Sequence, residues 1–250
     1  MTVDAPSTLC TMGMPGCGGK MEIRPVTTDR QQVIIERSYG GYAAKRVRRM
    51  RQVRAEETRN ALLLAAAQTF DRDGYEGTTL ATISDRAAVS KGALSFHFSS
   101  KSALADAVQY VSCERSRTEL KALDDPGVPA LRALGAMVRG LADRLATDPL
   151  TRAGLRLARE RGPSSGAAMD CRLAWRAVLR QTVLRAREEG SLLPGADVES
   201  VVELALALAL HQEAVPANRD REAWLTDVWE LLLPALASPA FSDPLTPTSS

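Results

Sequence analysis

The sequence has few of the residues and none of the patterns that identify enzymes and metal proteins. Histidine occurs only twice, at His97 and His211, and neither has a nearby cysteine or carboxylate that would pair with it for acid–base catalysis. The four cysteines lack metal-ligand spacing, and no glycine-rich phosphate loop is present. An all-α enzyme is therefore a remote alternative, and we predict no catalytic residue, no metal and no cofactor.

Long apolar runs are also missing. The most apolar stretch, 204–210, is far shorter than the roughly 18 residues that a membrane-spanning helix requires. The N-terminus has no positively charged segment followed by an apolar run, so no secretory signal is predicted. These absences predict a soluble protein of the cytoplasm, with no membrane partner and with reduced cysteines.

Aromatic residues are scarce, at 4% of the chain, whereas alanine and leucine are abundant. Abundant Ala and Leu favour helices, and no stretch reads as a strand. The 250 residues are enough for a sizeable core in one or two domains. The sequence therefore predicts an all-α protein. Helices are expected over about 55–73, 80–87, 91–96, 100–123, 130–146, 151–161, 166–189, 197–214 and 220–237.

Positive charge is concentrated in one part of the chain. The formal net charge is only +2, but residues 41–101 contain 11 Lys and Arg against 6 Asp and Glu. Most of this excess lies between Lys45 and Arg54. Local clustering of this kind is the electrostatic footprint of nucleic-acid binding.

The first 49 residues show no periodicity and do not look folded. We predict a disordered leader over 1–49, two helical domains over 50–110 and 111–238, and a flexible tail over 239–250. Two interpretations of the leader stay open. Translation could begin at Met21 or Met50 rather than at Met1, or the basic stretch from Lys45 to Arg54 could follow the DNA backbone or minor groove.

The stretch from Thr78 to Lys101 has the pattern of two short helices joined by a tight turn. Thr79 and Ser90 are good N-caps for these helices, and Ser99 is expected to cap a third. This layout is the helix-turn-helix, whose second helix lies in the major groove of DNA. The apolar positions of its first helix are Leu80, Ile83 and Ala87.

The second helix of this motif begins with one cation followed by two residues with almost no side chain. A helix tip this slim can enter a groove about 12 Å wide and bring its backbone close to the DNA. Leu94 and Phe98 lie four residues apart and are expected to pack inward. The residues expected to point toward DNA are Ser90, Lys91, Gly92, Ala93, Ser95 and His97.

The run TISDRAAVSKGALSFHFSSKSALADAV, residues 82–108, resembles the DNA-binding domain of TetR-type transcriptional repressors. That family's pattern reads A-x-x-A-G-V-s-x-G-x-x-Y-x-H-F-x-s-K-x-x-L. Ala88 stands where the family usually has Gly at a left-handed corner, at a cost of roughly 1 kcal/mol. Ser95 stands where the family usually has a phosphate-contacting Tyr. The resemblance adds Thr78, Thr79, Thr82 and Lys101 to the expected DNA contacts.

The C-terminal helices carry wide apolar faces. One comprises Val201, Val202, Leu204, Ala205, Leu208 and Ala209, and the other comprises Trp224, Val228, Leu231, Leu232 and Ala235. Either face could simply be core. In a chain that resembles a TetR-type repressor, both are expected to pair in a homodimer, which would place two recognition helices on a near-palindromic operator.

Within that family, the variant K-G-A-L-x-F-H-F-x-S-K is similar to the γ-butyrolactone receptors, which regulate antibiotic production. Residues 141–195 and the run LTDVWELLLPALA are similar to the same branch. By its sequence alone Trp175 could fill the core as readily as line a cavity. The resemblance implies that Trp175 contacts a lactone ligand.

The resemblance implies that 50–110 is a helix-turn-helix DNA-binding domain and that 111–238 is a helical ligand-binding and dimerisation domain. It also implies a mechanism. A γ-butyrolactone-type inducer would favour a conformation that releases the operator, with the helix after Lys101 moving between the two domains. The alternative is a pseudo-receptor of the same fold that responds to an antibiotic or another small molecule.

Overall fold

A computed structural model describes residues 29–162, 170–211 and 220–239, with side chains from residue 48 onward. Within these ranges helices are the only regular elements apart from one isolated antiparallel bridge between Leu192 and Ala237. The predicted all-α fold is therefore confirmed. The helices are α1 (Asp29–Gly77), α2 (Leu80–Arg86), α3 (Lys91–His97), α4 (Lys101–Ala122), α5 (Ala130–Thr147), α6 (Pro149–Arg161), α7 (Cys171–Glu188), α8 (Val198–Leu210) and α9 (Arg221–Leu236).

Helix α1 is longer than predicted. It begins at Asp29 rather than near Ala55, so the predicted start is wrong. Residues 29–54 contain no proline and many good helix formers, and a helix can form from such residues without an apolar stripe. At its other end Gly74 adopts φ 74°, ψ 179° and breaks the regular helix, as the sequence predicted. Residues 1–28 of the predicted leader lie outside the described ranges.

The chain divides after Gln52 into two units, and all the packing described here belongs to the second. That unit has two clusters of buried apolar residues. The first is built from α1–α4 up to Val108, together with Leu150, Ala153 and Leu157 of α6. The second begins at Cys113 and holds most of α5, α7, α8 and α9. Helix α6 is thus the C-terminal element whose apolar side packs into the N-terminal cluster.

The buried face of α1 is the predicted one, because Leu63, Ala66, Ala67 and Phe70 are all buried. Helix α4 begins one residue later than expected. Its N-cap is Ser100, whose side chain accepts a hydrogen bond from the backbone N–H of Ala103, and not Ser99. The remaining helices follow the predicted boundaries to within about two residues, except that the predicted helices 166–189 and 197–214 extend into 163–169 and 212–219, which lie outside the described residues. Residues 240–250 of the predicted flexible tail also lie outside them.

Two cysteines are joined, which contradicts the expectation of reduced thiols. Cys113 of α4 and Cys171 at the start of α7 form a disulfide, with their Cα atoms 4.7 Å apart. The two residues are 58 positions apart in the chain, and the contact exists only because α4 packs against α7. Spacing in the sequence therefore carried no sign of the pair.

None of the helices in the described ranges combines the length and the hydropathy that a membrane crossing requires.

Candidate DNA interface and ligand cavities

Helices α2 and α3 are each capped by the side chain that the sequence predicted. The Oγ1 atom of Thr79 accepts a hydrogen bond from the backbone N–H of Thr82 at 3.1 Å. Likewise, the Oγ atom of Ser90 accepts one from Ala93 at 3.2 Å. These bonds satisfy backbone donors that a helix start leaves free, and they fix where each helix begins.

The corner between α2 and α3 is held by a positive-φ residue and a buried hydroxyl. Ala88 has φ 52°, and among the described residues no other side-chain-bearing position has positive φ. The backbone N–H groups of Ala88 and Val89 donate to the carbonyls of Asp85 and Ser84, both at 3.1 Å. The Ser84 hydroxyl donates in turn to the carbonyl of Val89. This closed turn sets the angle at which α3 leaves α2.

Helix α3 has one buried side and one open side. Leu94 and Phe98 are buried, as predicted, and the Arg59 guanidinium lies 5.3 Å from the centre of the Phe98 ring. Ala93 and His97 are half-buried. The exposed residues of this segment are Ser90, Lys91, Gly92, Ser95 and Phe96.

The slim tip of α3 is open to its surroundings. A Cβ atom built on Gly92 would meet nothing within 4 Å. The protein itself therefore does not require glycine at this position. The open space at Gly92 lets another molecule approach the backbone of α3 closely.

The predicted contacts outside α3 differ in their accessibility. Thr79 and Thr82 are exposed, with their hydroxyl oxygens 2.8 Å apart. Thr78 is buried, and its hydroxyl donates to the carbonyl of Gly74 at 2.6 Å. Its role is to close the end of α1, so it is not on the surface that the other residues share. Lys101 donates to the carbonyl of Tyr75 at 2.9 Å and lies 4.3 Å from the centre of the Tyr75 ring.

Charged residues of α6 hold the end of α1. Arg152 forms an ion pair with Asp71 at 2.8 Å, and Arg156 donates to the carbonyl of Asp71 at 2.7 Å. The Glu160 carboxylate accepts a hydrogen bond from the backbone N–H of Tyr75 at 2.6 Å. Burial alone would raise the pKa of Glu160, but the Tyr75 N–H and then Arg156 stabilise the carboxylate more, and its pKa lies below the ordinary value.

The same helix also holds α4. Arg161 at the end of α6 pairs with Asp106 at 2.6 Å and donates to Gln109 at 2.6 Å and to Ser102 at 2.9 Å. Its guanidinium lies 5.1 Å from the centre of the Tyr75 ring. The contacts of Arg161 with Asp106, Gln109 and Ser102 therefore connect α6 to α4, the helix that directly follows α3.

Two open cavities lie beside α5. The larger, about 560 Å³, lies between α5 and the start of α9, and the smaller, about 460 Å³, lies between α4 and α5. Arg144 in the smaller cavity pairs with Glu119 and, at 3.1 Å, with Asp148. Burial and then the like charge of Arg115 lower the pKa of Arg144. Both cavities therefore present charged groups as well as apolar surface to a ligand.

Trp175 does not line either cavity. Its side chain is fully buried, and its indole Nε1–H donates to the hydroxyl of Ser116 at 2.8 Å. Ser116 itself lines the smaller cavity. The Cys113–Cys171 disulfide joins the same two helices, α4 and α7. Ser116 is itself fully buried, so a ligand in the smaller cavity reaches Ser116 and Trp175 only if the packing between α4 and α7 opens.

Helix α9 leaves an apolar face uncovered. Its inner side is buried through Leu225, Trp229 and Leu233, and the Trp229 ring lies against Gly135 of α5. On its outer side Leu231 is 80% exposed. The outward face of α9 comprises Trp224, Val228, Leu231, Leu232 and Ala235, all exposed or half-buried. The face predicted for dimer contacts is therefore not part of this chain's own core.

The predicted face of α8 divides differently. Val201, Val202, Ala205 and Ala209 are buried in the second cluster. Leu204 and Leu208 are only half-buried. Leu208 also packs against the edge of the second cluster. The core interpretation is thus correct for the four buried residues, and only the exposed parts of Leu204 and Leu208 remain available to a partner.

Comparisons with known proteins agree with this geometry. Residues 62–108 match the family of bacterial regulatory proteins named tetR. A crystal structure of an ArpA-like gamma-butyrolactone receptor is 34% identical, with 75% of this chain and 91% of that chain covered and a TM-score of 0.63. The chain belongs to the TetR family. The family predicted from residues 82–108 is therefore confirmed, and this TetR-family protein carries its helix-turn-helix on α2 and α3.

Two further relatives belong to the same group. The A-factor receptor protein of Streptomyces griseus is 29% identical over 202 residues, 76% of this chain and 67% of that protein. The TetR-family protein CprB of Streptomyces coelicolor, solved in complex with its operator sequence, is 35% identical, with 75% and 91% of the two chains covered and a TM-score of 0.61. The predicted resemblance to the γ-butyrolactone receptor branch is confirmed.

Sequence reasoning missed several residues of this TetR-family protein. Phe96 is exposed on α3 but was not among the expected contacts. Counting helical positions from buried Leu94 would have found it, because residues two before and two after lie on the opposite side. Ser116 carried no signal, since its place depends on how α4 packs against α7. The arginines of α6 were visible as an amphipathic pattern, but their partners were not.

Proposed function

We propose that this protein is a transcriptional repressor that binds double-stranded DNA as a homodimer and is released by a small-molecule inducer. By its similarity to the γ-butyrolactone receptors, we expect it to control genes of secondary metabolism. The proposal depends above all on the open side of α3, which is slim, polar at its start and uncovered, in a chain of a DNA-binding regulatory family. A protein with this role acts in the cytoplasm, on the nucleoid.

The proposed DNA interface is the common exposed surface of α2 and α3. Its members are Thr79, Thr82, Ser90, Lys91, Gly92, Ala93, Ser95 and His97. We leave Thr78 out because its hydroxyl is buried and bonded within the chain. Lys101 acts as a positioning residue, since it ties the loop after α1 to the start of α4. With Ser at position 95, we expect weaker phosphate contact there than a tyrosine would give.

Exposed arginines near the start of the described side chains supply further attraction to DNA. Arg48, Arg49, Arg51 and Arg54 are all exposed. Their charge would add to affinity for any duplex, and this part of the affinity would fall as salt rises. We therefore favour the interpretation of this stretch as a basic arm that adds affinity without choosing a sequence.

Dimerisation through the C-terminal helices would give the protein its operator geometry. The outward side of α9 exposes apolar residues beside Asp227, and Leu204 and Leu208 of α8 are half-buried. A second copy of the chain would cover these residues in an isologous contact. Two α3 helices related by a two-fold axis would then read two half-sites of a near-palindrome.

The proposed ligand site is the cavity between α4 and α5, with Trp175 behind it. Ser116 connects the two, because it lines the cavity and accepts the Trp175 hydrogen bond. A ligand that binds here with different affinity in two arrangements of α4 would shift the spacing of the two α3 helices. Contacts of α6 with α1 and α4 would transmit that shift to the helix-turn-helix.

A second candidate ligand class is supported by the charge around the cavities. Arginines and carboxylates line both, including Arg115, Glu119 and Arg144 in the smaller cavity. Such a lining suits a polar or charged molecule as well as a lactone. The alternative is therefore a pseudo-receptor of the same fold that responds to an antibiotic or a biosynthetic intermediate.

A gel-shift titration tests the proposal. Duplex DNA from upstream of the gene should give a retarded band that weakens as salt rises. A γ-butyrolactone should abolish the band if the inducer is of that class, and should leave it unchanged if the pseudo-receptor alternative holds. Absence of any band at low salt would overturn the repressor proposal.

The role of Trp175 is tested with two substitutions, because Trp175→Ala removes a large buried side chain and can destabilise the fold. Trp175→Phe keeps most of the volume but removes the hydrogen bond to Ser116. We expect Trp175→Phe to retain the DNA band and to lose most of the inducer response. An unchanged inducer response in a folded Trp175→Ala variant would contradict ligand contact at this residue.

A further inference from the structure

The side of α3 that faces away from the protein is centred on two residues. Successive residues of a helix are about 100° apart around its axis, so the positions two before and two after a residue lie about 200° away. Leu94 is the buried anchor of α3. Gly92 and Phe96 therefore lie almost directly opposite Leu94, in the middle of the outward side.

Phe96 is a large apolar residue with an unusually exposed side chain. It is 82% exposed and is the most exposed large apolar side chain in the part of the chain that the structure describes. Its ring stands edge-to-face against the His97 ring, at 84° with centroids 5.2 Å apart. Gly92 lies one turn before Phe96 on the same side of α3, and no atom lies within 4 Å of a Cβ built there, so the space beside the ring is open.

The chemistry of phenylalanine limits what it can recognise in a major groove. Its ring has no hydrogen-bond donor and no charge, so it gains nothing from a phosphate and cannot bond the polar edges of the bases. The major groove presents one apolar group, the C5-methyl of thymine, and phenylalanine is among the residues that contact it. Lys91 and Ser95 on the neighbouring side of α3 can serve the polar edges and the backbone.

We propose that Phe96 determines sequence specificity by packing against the C5-methyl group of a thymine in each half-site of the operator. This inference rests on the proposed function, because it assumes that α3 lies in the major groove. Gly92 contributes by leaving room beside the ring, so that the base edge can approach. The preference for thymine at that position comes from burial of the methyl group and of the exposed face of the ring.

The first test is a selection of duplexes from random-sequence DNA by the full-length protein and by its Phe96→Ala variant. Because Phe96 is exposed, the variant should fold normally. The wild-type pool should contain an invariant thymine at one position of each half-site. The Phe96→Ala pool should lose that thymine and keep the other preferred bases. Leu173→Ala, at an exposed apolar residue on α7, is the matched control and should select the wild-type sequence.

The second test removes only the methyl group. Replacing the invariant thymine by deoxyuridine should weaken wild-type binding about fourfold per half-site, the value of one buried methyl, and about fifteen-fold when both half-sites are changed. Phe96→Ala should bind the thymine and deoxyuridine duplexes equally. Such a double-mutant cycle isolates the contact between the ring and the methyl group.

The outcomes separate the inference from the proposed function. A Phe96→Ala pool that keeps the thymine, or a variant that still distinguishes thymine from deoxyuridine, overturns the role of Phe96 while leaving DNA binding intact. A folded Phe96→Ala variant that binds no duplex also overturns the inference, because Phe96 would then be needed for DNA affinity in general and not for sequence specificity. A wild-type protein that enriches no sequence overturns the proposed function itself.

Discussion

Ala88 occupies a backbone conformation that glycine adopts more easily. Its φ of 52° lies in the left-handed region, where a Cβ atom is unfavourable by roughly 1–2 kcal/mol. The family resemblance had pointed to this position, because the related pattern has glycine there. The left-handed conformation at the corner thus follows from the sequence pattern, and alanine is where this chain departs from that pattern.

Replacement of Ala88 by glycine should stabilise the protein. We expect Ala88→Gly to raise the free energy of unfolding by about 1 kcal/mol, measured by urea denaturation, because glycine removes the strain. Ala87→Gly is the matched control, since Ala87 has φ −76° and a right-handed conformation. The control should be neutral or less stable. Equal changes in the free energy of unfolding for the two substitutions would contradict backbone strain at Ala88.

Substitution of Gly92 should affect stability and DNA affinity differently. No atom lies within 4 Å of a Cβ built there, and alanine is favoured over glycine in a helix by up to about 1 kcal/mol. Gly92→Ala should therefore be as stable as the wild type or more so in urea denaturation. It should nevertheless bind upstream DNA at least roughly tenfold more weakly by fluorescence anisotropy, because the added methyl group meets the DNA. Undiminished DNA affinity would show that α3 does not approach DNA at its tip.

At the scale of elements, α6, like α4, contributes residues to both apolar clusters. Its apolar side packs with α1 and α4, and its charged side holds the end of α1 through Arg152, Arg156 and Glu160. These contacts join residues more than 80 positions apart in the chain. Local periodicity predicted the helix and its boundaries, but it could not predict partners that only the tertiary packing brings together.

The contact of Glu160 with the end of α1 should make stability depend on pH. The pKa of Glu160 is lowered in the folded protein, so its contribution is present at pH values above the ordinary pKa of about 4.5 and is lost as pH falls through the folded pKa. Glu160→Gln should thus be less stable than wild type near neutral pH, and the difference should shrink below about pH 4.5. Urea denaturation across this range measures it.

The matched control for this prediction is Glu57→Gln. Glu57 is exposed on α1, and its substitution should change stability little at any pH. A difference between wild type and Glu160→Gln that stays constant down to acid pH would contradict a role for the charge of Glu160.

The Cys113–Cys171 disulfide should contribute measurably to stability. A cross-link that closes a loop of this length reduces the entropy of the unfolded chain. In the chain-entropy description this raises the free energy of unfolding by about 4 kcal/mol. A reducing agent should therefore lower the urea midpoint of the wild type, whereas the Cys113→Ser/Cys171→Ser variant should not respond. Peptide mapping under non-reducing conditions should find the two cysteines linked. Recovery of both as free thiols in protein purified without reductant would contradict the bond.

At the scale of the whole molecule, the outward face of α9 is the surface that a second copy would cover. Leu231 is its most exposed member, at 80%. Leu231→Asp should convert the dimer to a monomer in sedimentation velocity, because a charge in an apolar contact cannot be solvated there. The monomer should stay folded and should lose operator binding, since one α3 reaches only one half-site.

Leu173→Asp provides the control for that prediction. Leu173 is an exposed leucine on a different helix, α7, and its substitution should leave the dimer intact. A Leu231→Asp protein that remains dimeric would place the contact elsewhere on the surface.

The sequence predicted the parts of this account that depend on local pattern. Caps at Thr79 and Ser90, the buried pair of Leu94 and Phe98, and the boundaries of the short helices α2 and α3 all follow from residues within a few positions of each other. It did not predict that Trp175 is sealed behind Ser116 or that Cys113 meets Cys171. Both depend on the way α4 packs against α7, which no single stretch of sequence encodes.

The most direct test of the account is hydroxyl-radical footprinting of the full-length protein on DNA from upstream of its gene. A dimer with α3 in the major groove should protect two related half-sites whose centres are one helical turn of DNA or a small multiple of it apart. Protection should fade with Gly92→Ala at protein concentrations that saturate the wild type. A single protected patch, or a footprint that Gly92→Ala leaves unchanged, would contradict the central claim that a pair of α3 helices reads the operator.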